Sequence, residues 1–88
     1  MTYEVAWAPS ARRKIEHLPE SVAAAVVEFV YGPLADNPQR VGKALRGELE
    51  GRHSARRGEY RVIYTIDEDR VVVTLLVIDH RRDVYRPR

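Results

Sequence analysis

RHSARRGEYRVIYTIDEDRVVVTLLVI, the stretch from Arg52 to Ile78, decides the fold. Its final run, Val71 to Ile78, is apolar at seven of eight positions and mostly β-branched, which predicts a central strand covered on both faces. Before it, Tyr60 to Ile66 reads as a second strand, and Asp67-Glu68-Asp69-Arg70 as the polar turn between the two. Gly58-Glu59 reads as a hairpin turn, leading back to a strand from about Arg52 to Arg57.

Upstream the period changes. Tyr3, Val5 and Trp7 alternate with Glu4 and Ala6, which predicts a first strand with one buried face. Pro9-Ser10 ends it, and Ser10 is placed to cap a short helix through Ala11 to His17. Leu18-Pro19 breaks that helix, with Pro19 as the first residue of a longer one. There Val22, Val26, Phe29 and Val30 recur at helical spacing and form an apolar stripe. Gly32-Pro33 should kink or stop the helix, and Asp36-Asn37-Pro38 should end anything that continues. Pro38 to Gly51 shows little periodicity and reads as a loop with at most one helical turn. The expectation is an α+β fold: a small, antiparallel-rich twisted sheet of about four strands, ordered β-α-α-β-β-β along the chain. An N-terminal helical hairpin packs on one face, and residues 1–88 form a single domain.

Composition removes several classes of function. There is no Cys, which excludes disulfides, thiolate metal sites and thiol catalysis. His17, His53 and His80 lack the close spacing of a structural zinc site, and neither metal nor cofactor is expected. The N-terminus runs straight into a strand with no signal-peptide core. No apolar run approaches the ~20 residues that span a bilayer, so a soluble cytoplasmic protein is expected, away from membranes.

Charge is unevenly spread. Residues 52–88 carry nine basic against six acidic side chains, and residues 1–51 six against seven, so the net +2 is an average. The cations, thirteen of fifteen of them Arg, cluster at Arg52, Arg56, Arg57 and Arg61 and again at Arg81, Arg82, Arg86 and Arg88. Guanidinium matches planar, bidentate phosphate contact, so the pattern points to a polyanion, above all RNA.

A two-residue loop at Gly58-Glu59 pairs Arg57 with Tyr60 and sets Arg56 opposite Arg61. Period two then places Arg52, Ser54, Arg56, Arg61, Ile63 and Thr65 on one face, while Tyr60, Val62, Tyr64 and Ile66 turn toward the helices. If Ile66 pairs with Val71, Arg61 lies opposite Leu76, and His80 shares the Arg56/Arg61 face at the same end of the sheet. Arg81 falls on the opposite parity at a strand end, and a one-residue change in either turn inverts these assignments. Two arginines opposite each other destabilise a sheet, so an anionic partner explains them better than folding does. The ordinary reading is an exposed hairpin whose arginines pair with Glu59 or Asp79. His80 would ordinarily be a surface histidine and Tyr85 a residue packing the tail. Arg12-Arg13-Lys14 is read as a solvated face.

Several of these elements together resemble the RelE/ParE toxin superfamily, and within it the RelE-type mRNA endonucleases. They are Leu18-Pro19 between two helices, Lys43-Ala44-Leu45 and Leu49-Glu50-Gly51 before the sheet, Ser54-Ala55-Arg56-Arg57-Gly58-Glu59-Tyr60-Arg61-Val62-Ile63-Tyr64, then Asp79-His80-Arg81 and Tyr85-Arg86. The resemblance covers nearly the whole chain. It implies a toxin of a type II toxin–antitoxin module that cuts mRNA in the ribosomal A site, inhibits translation and is held inactive by a cognate antitoxin from an adjacent gene. The toxin–antitoxin complex would bind operator DNA through the antitoxin. By position, Arg61 matches the arginine that contacts the scissile phosphate, Arg81 the one that protonates or stabilises the leaving oxygen, and Tyr85 the tyrosine that stacks on or orients a nucleotide. Arg52 and Arg56 match basic residues of the second strand; Ser54, Arg57, Arg82 and Arg86 join them as phosphate contacts.

Ser54 departs from that pattern, standing where a relative has the lysine proposed as general base. Serine is not a base and guanidinium stays protonated, so His80 is the expected substitute, with Glu59 and Asp79 as weaker alternatives. The implied chemistry is metal-independent attack of the RNA 2′-hydroxyl on the adjacent phosphorus. Two other readings fit the same fold: a ParE-like poison of DNA gyrase that acts by binding, and an inactive homologue that serves only as an antitoxin-bound co-repressor.

Overall fold

The computed structural model describes residues 2–80. Strand β1 (Glu4–Trp7) leads into helix α1 (Pro9–His17) and helix α2 (Glu20–Phe29). The stripe read from sequence is the buried one: Val26, Phe29 and Val30 lie in the core, with Val22 packed against it. Pro19 stands one position earlier than expected, as the N-cap of α2.

Gly32-Pro33 does not stop the helical backbone. Val30–Leu34 widens into a π-helical turn that contains Pro33, and helical backbone resumes at residues 35–36. A widened turn accommodates a residue that lacks an N–H and whose ring crowds the preceding carbonyls. Asn37 ends it, and a short helix α3 (Pro38–Val41) follows.

A five-stranded sheet has the order β1-β5-β4-β3-β2, in which β2 is Lys43–Ala44, β3 His53–Arg57, β4 Tyr60–Asp67 and β5 Val72–His80. β1 runs parallel to β5, and the other pairs are antiparallel. The expected four strands become five because β2, with two residues, is too short to show alternation. One apolar cluster joins α1, α2 and the helix-side residues of the sheet, among them Val62, Tyr64, Val73 and Leu75.

The expected pairing of β3 with β4 is the observed one: Arg57 pairs with Tyr60 and Arg56 with Arg61. Gly58 takes φ 60°, the positive value this tight turn needs at its first central position. The β4–β5 register differs from expectation in two ways. The turn is longer, so Ile66 pairs with Val73 rather than Val71. Further on, Ile63 pairs with Val77 but Tyr64 with Leu75, which leaves Leu76 as an extra, bulged residue.

That bulge shifts the parity of everything after it. Val73 and Leu75 face the helices before it; Ile78 and His80 do so after it. The Leu76 carbonyl accepts a 2.8 Å hydrogen bond from the Ser10 hydroxyl, so Ser10 ties α1 to the bulge instead of capping the helix, whose N-cap is Ala8. Nor is β5 covered on both faces. Its apolar run packs on one side, and Val77 is 38% exposed on the other.

Candidate functional site

The sheet face that the helices leave open collects the polar positions of three strands. Ser54 pairs with Ile63, Arg56 with Arg61, and Arg61 with Asp79 across β5. Arg56 and Arg61 are both exposed, as the hairpin register requires. Arg61 donates from Nη2 to Asp79 Oδ2 at 3.3 Å, with the two side chains 50% and 38% exposed. An ion pair that open to solvent holds the guanidinium weakly, by no more than about 1 kcal/mol. Asp79 also offsets part of the repulsion between the facing arginines. Arg56 has no ion pair among the described residues.

The other expected contributors separate. Arg57 is on the helix side of β3, where its guanidinium carbon sits 5.1 Å from the centre of the Phe29 ring, a cation–π contact on the far side of the sheet from Arg61. Arg52 precedes β3, so strand alternation does not fix its face; its N–H donates to Leu49 O and its carbonyl accepts from Leu45 N–H, closing the loop between.

His80 corrects the sequence reading most directly. It is 5% exposed, pairs with Tyr60 and lines a cleft of about 240 Å³ with Ser21, Val22, Ala25 and Glu59, on the helix-covered side. Its Nε2 lies 3.8 Å from Glu59 Oε1. The expected sharing of a face with Arg56 and Arg61 fails because the Leu76 bulge adds one residue, turning His80 inward and Asp79 outward. Glu59 sits beside His80, which leaves Asp79 as the carboxylate next to Arg61. Arg81, Arg82, Tyr85 and Arg86 lie outside the described residues.

Beneath the face, the tyrosines are structural. Tyr60 packs edge-on against Phe29 and donates to Ala25 O at 3.2 Å; burial pushes its phenol up, with nearby Arg57 pulling the other way. Tyr64 is fully buried, stacks on His53 and donates to Pro38 O at 2.6 Å, and burial pushes its phenol up to about 12. One open-face residue was given no role from the sequence: Lys43 of β2, directly across from Ser54. A two-residue strand offers no periodic signal by which to place it. Among the described residues, no helix is long and apolar enough to cross a membrane.

The family model described as the ParE toxin of the type II toxin–antitoxin system, parDE, matches residues 5–85. Two curated proteins of Mycobacterium tuberculosis (strain ATCC 25618 / H37Rv) are similar along almost their whole length. Toxin RelE is 54% identical over 84 residues, covering 96% of this chain and 87% of that one. Toxin RelG is 51% identical over 86 residues, covering 98% and 99%. Among solved structures, the toxin–antitoxin complex RelBE2 from Mycobacterium tuberculosis superposes with a TM-score of 0.90 at 49% identity, over 92% of this chain and 100% of that one. The isolated E. coli RelE toxin shares the fold, with a TM-score of 0.73 at 17% identity over 89% and 83% of the two chains. The chain therefore belongs to the ParE toxin family and is a toxin of a type II toxin–antitoxin system.

Proposed function

We propose that this toxin is an endoribonuclease that cuts mRNA in the ribosomal A site and so arrests translation. The observation that carries the reading is the pair Arg56 and Arg61, directly opposite each other on the sheet face that no helix covers. The similarity to chains called RelE and RelG supports placing it on the RelE side of the family.

In the reaction, the 2′-hydroxyl attacks the adjacent phosphorus in line, a P–O bond forms, and the bond to the 5′-oxygen breaks. The products are a 2′,3′-cyclic phosphate and a free 5′-hydroxyl. Negative charge builds on the non-bridging oxygens in the transition state, and Arg56 and Arg61, already oriented by the hairpin, stabilise it there. The proton of the attacking hydroxyl goes to Asp79, which shares the face with Arg61; His80, turned to the other side, no longer suits that role. Arg81 stabilises the departing oxygen, which takes a proton from water to become the 5′-hydroxyl, and Tyr85 orients a nucleotide; the roles of Arg81 and Tyr85 rest on the family resemblance. Ribosomal positioning supplies the alignment, which accounts for several kcal/mol of such barriers. A cognate antitoxin holds the toxin inactive, as the solved relative in its toxin–antitoxin complex suggests.

Two assays run side by side test this against the gyrase reading. The toxin should cleave message on programmed ribosomes and leave gyrase supercoiling untouched. Inhibited supercoiling with intact message would replace the ribonuclease by a binding poison.

A further inference from the structure

We propose that Lys43 is a substrate-binding residue of the same face, gripping the message phosphate next to the one that breaks. The proposal rests on the ribonuclease reading above. β2 pairs antiparallel with β3, with Lys43 opposite Ser54 and Ala44 opposite His53. Directly opposed residues in such a pair project from the same face, their Cβ atoms ~5 Å apart. Lys43 thus joins Ser54, Arg56 and Arg61, and the band of polar side chains crosses three adjacent strands. Two strand crossings, β2 to β3 and β3 to β4, add ~10 Å across the sheet and two residues ~7 Å along it, at right angles, so Lys43 and Arg61 are roughly 12 Å apart by this geometry. That separation suits two successive phosphates of one strand better than a single shared one.

The placement is built into the fold, although the strand has only two residues. A Cβ on Gly42 would stand 2.8 Å from the Ser54 carbonyl oxygen and would press into the Tyr64 hydroxyl, so only glycine lets the backbone come this close. Tyr64 is itself held by its bond to Pro38 O, at the start of α3. A buried tyrosine and a glycine therefore pin the register that sets Lys43 beside Ser54. The lysine is exposed and has no ion pair or side-chain hydrogen bond among the described residues. An ammonium on a flexible stem serves phosphate as a point charge, complementing the two planar guanidinium groups.

A lysine on an edge strand has an ordinary explanation too, since charge there discourages edge-to-edge pairing. Charge reversal separates the roles: glutamate guards an edge as well as lysine does but repels phosphate. The experiment measures cleavage of ribosome-bound message against toxin concentration for the wild type and for Lys43→Ala, Lys43→Glu and Lys43→Arg, with thermal melting as the check on folding. Lys43→Ala should raise the half-saturating concentration roughly three- to tenfold, with the loss falling there and not on the saturated rate. Lys43→Glu should be worse than Lys43→Ala, and Lys43→Arg should recover most of the loss. The dependence of half-saturation on log salt should flatten by about 0.7 in Lys43→Ala, one phosphate contact fewer. Lys43→Glu cleaving like the wild type would reduce the residue to an edge guard, and a loss confined to the saturated rate would overturn the binding role. A wild-type toxin that cuts no message would fell the ribonuclease reading itself, whereas active wild type with indifferent variants would fell only Lys43.

Discussion

At the residue scale, the choice of proton acceptor lies between two adjacent side chains. Asp79 and His80 are neighbours in the chain yet face opposite ways, one paired with Arg61 in solvent and the other 5% exposed beside Tyr60. Asp79→Asn should therefore lower the cleavage rate by about 100-fold or more, the usual loss of a general base. His80→Gln should stay within a few fold of wild type wherever it remains folded. Single-turnover cleavage of both variants decides the assignment, and the opposite ranking would return the role to His80. Tyr64 shows a different kind of necessity. Tyr64→Phe loses a buried hydrogen bond to Pro38 O and should cost about 1 kcal/mol in urea unfolding. Its phenol titrates near 10.0 when unfolded and is pushed up to about 12 when folded, so between those values the unfolded chain has lost a proton that the folded chain keeps. Stability must fall as pH rises through that window, by on the order of 2 to 3 kcal/mol from this group. Tyr64→Phe should remove most of that alkaline loss, leaving the smaller share due to Tyr60, whose phenol is also pushed up.

At the element scale, the controlling feature is the extra residue in β5. With Leu76 unpaired, Ile78 and His80 turn inward and Asp79 outward. Deleting Leu76 would let Val77 follow Leu75 directly and keep Ile63–Val77, Val62–Ile78 and Arg61–Asp79 paired as they are, with loss of the bulge carbonyl that Ser10 bonds. The deletion should therefore keep Asp79 beside Arg61 and cost about 1 kcal/mol in urea unfolding, close to the loss in Ser10→Ala; a loss of several kcal/mol would mean that the residues after the bulge had turned to the other face and buried Asp79. The same element shows what the amino-acid sequence discloses and what it hides. The β3–β4 hairpin was legible because Gly58-Glu59 allows one tight turn, and that turn alone sets Arg56 against Arg61. The apolar stripe of α2 was legible from its spacing. The bulge was not, since in Thr74-Leu75-Leu76-Val77 any apolar residue serves as the extra one, and the backbone bonds that fix it, from Ser10 to Leu76 O and from Ala8 to Leu75 O, are tertiary. Misplacing His80 followed directly. Lys43 was hidden for another reason: its strand is two residues long and is defined by tertiary contact with Tyr64 rather than by its own pattern. The expected parts of Arg81 and Tyr85 lie beyond the described residues and stay with the family resemblance.

At the scale of the whole molecule, the sheet divides the labour. One face is committed to α1, α2 and the core, so substitutions there change stability first. The other carries Lys43, Arg56 and Arg61 in solvent, where folding needs little from them. Activity and stability should therefore separate cleanly on the open face. The most direct measurement is the rate at which Arg61→Ala and Arg56→Ala, singly and together, cut message on programmed ribosomes, read beside their melting temperatures. Arg61→Ala should cut about 100-fold or more slowly, the double variant more slowly still, with melting temperatures close to wild type. A double variant that melts normally and still cuts message at the wild-type rate would contradict a role for the pair in cleavage.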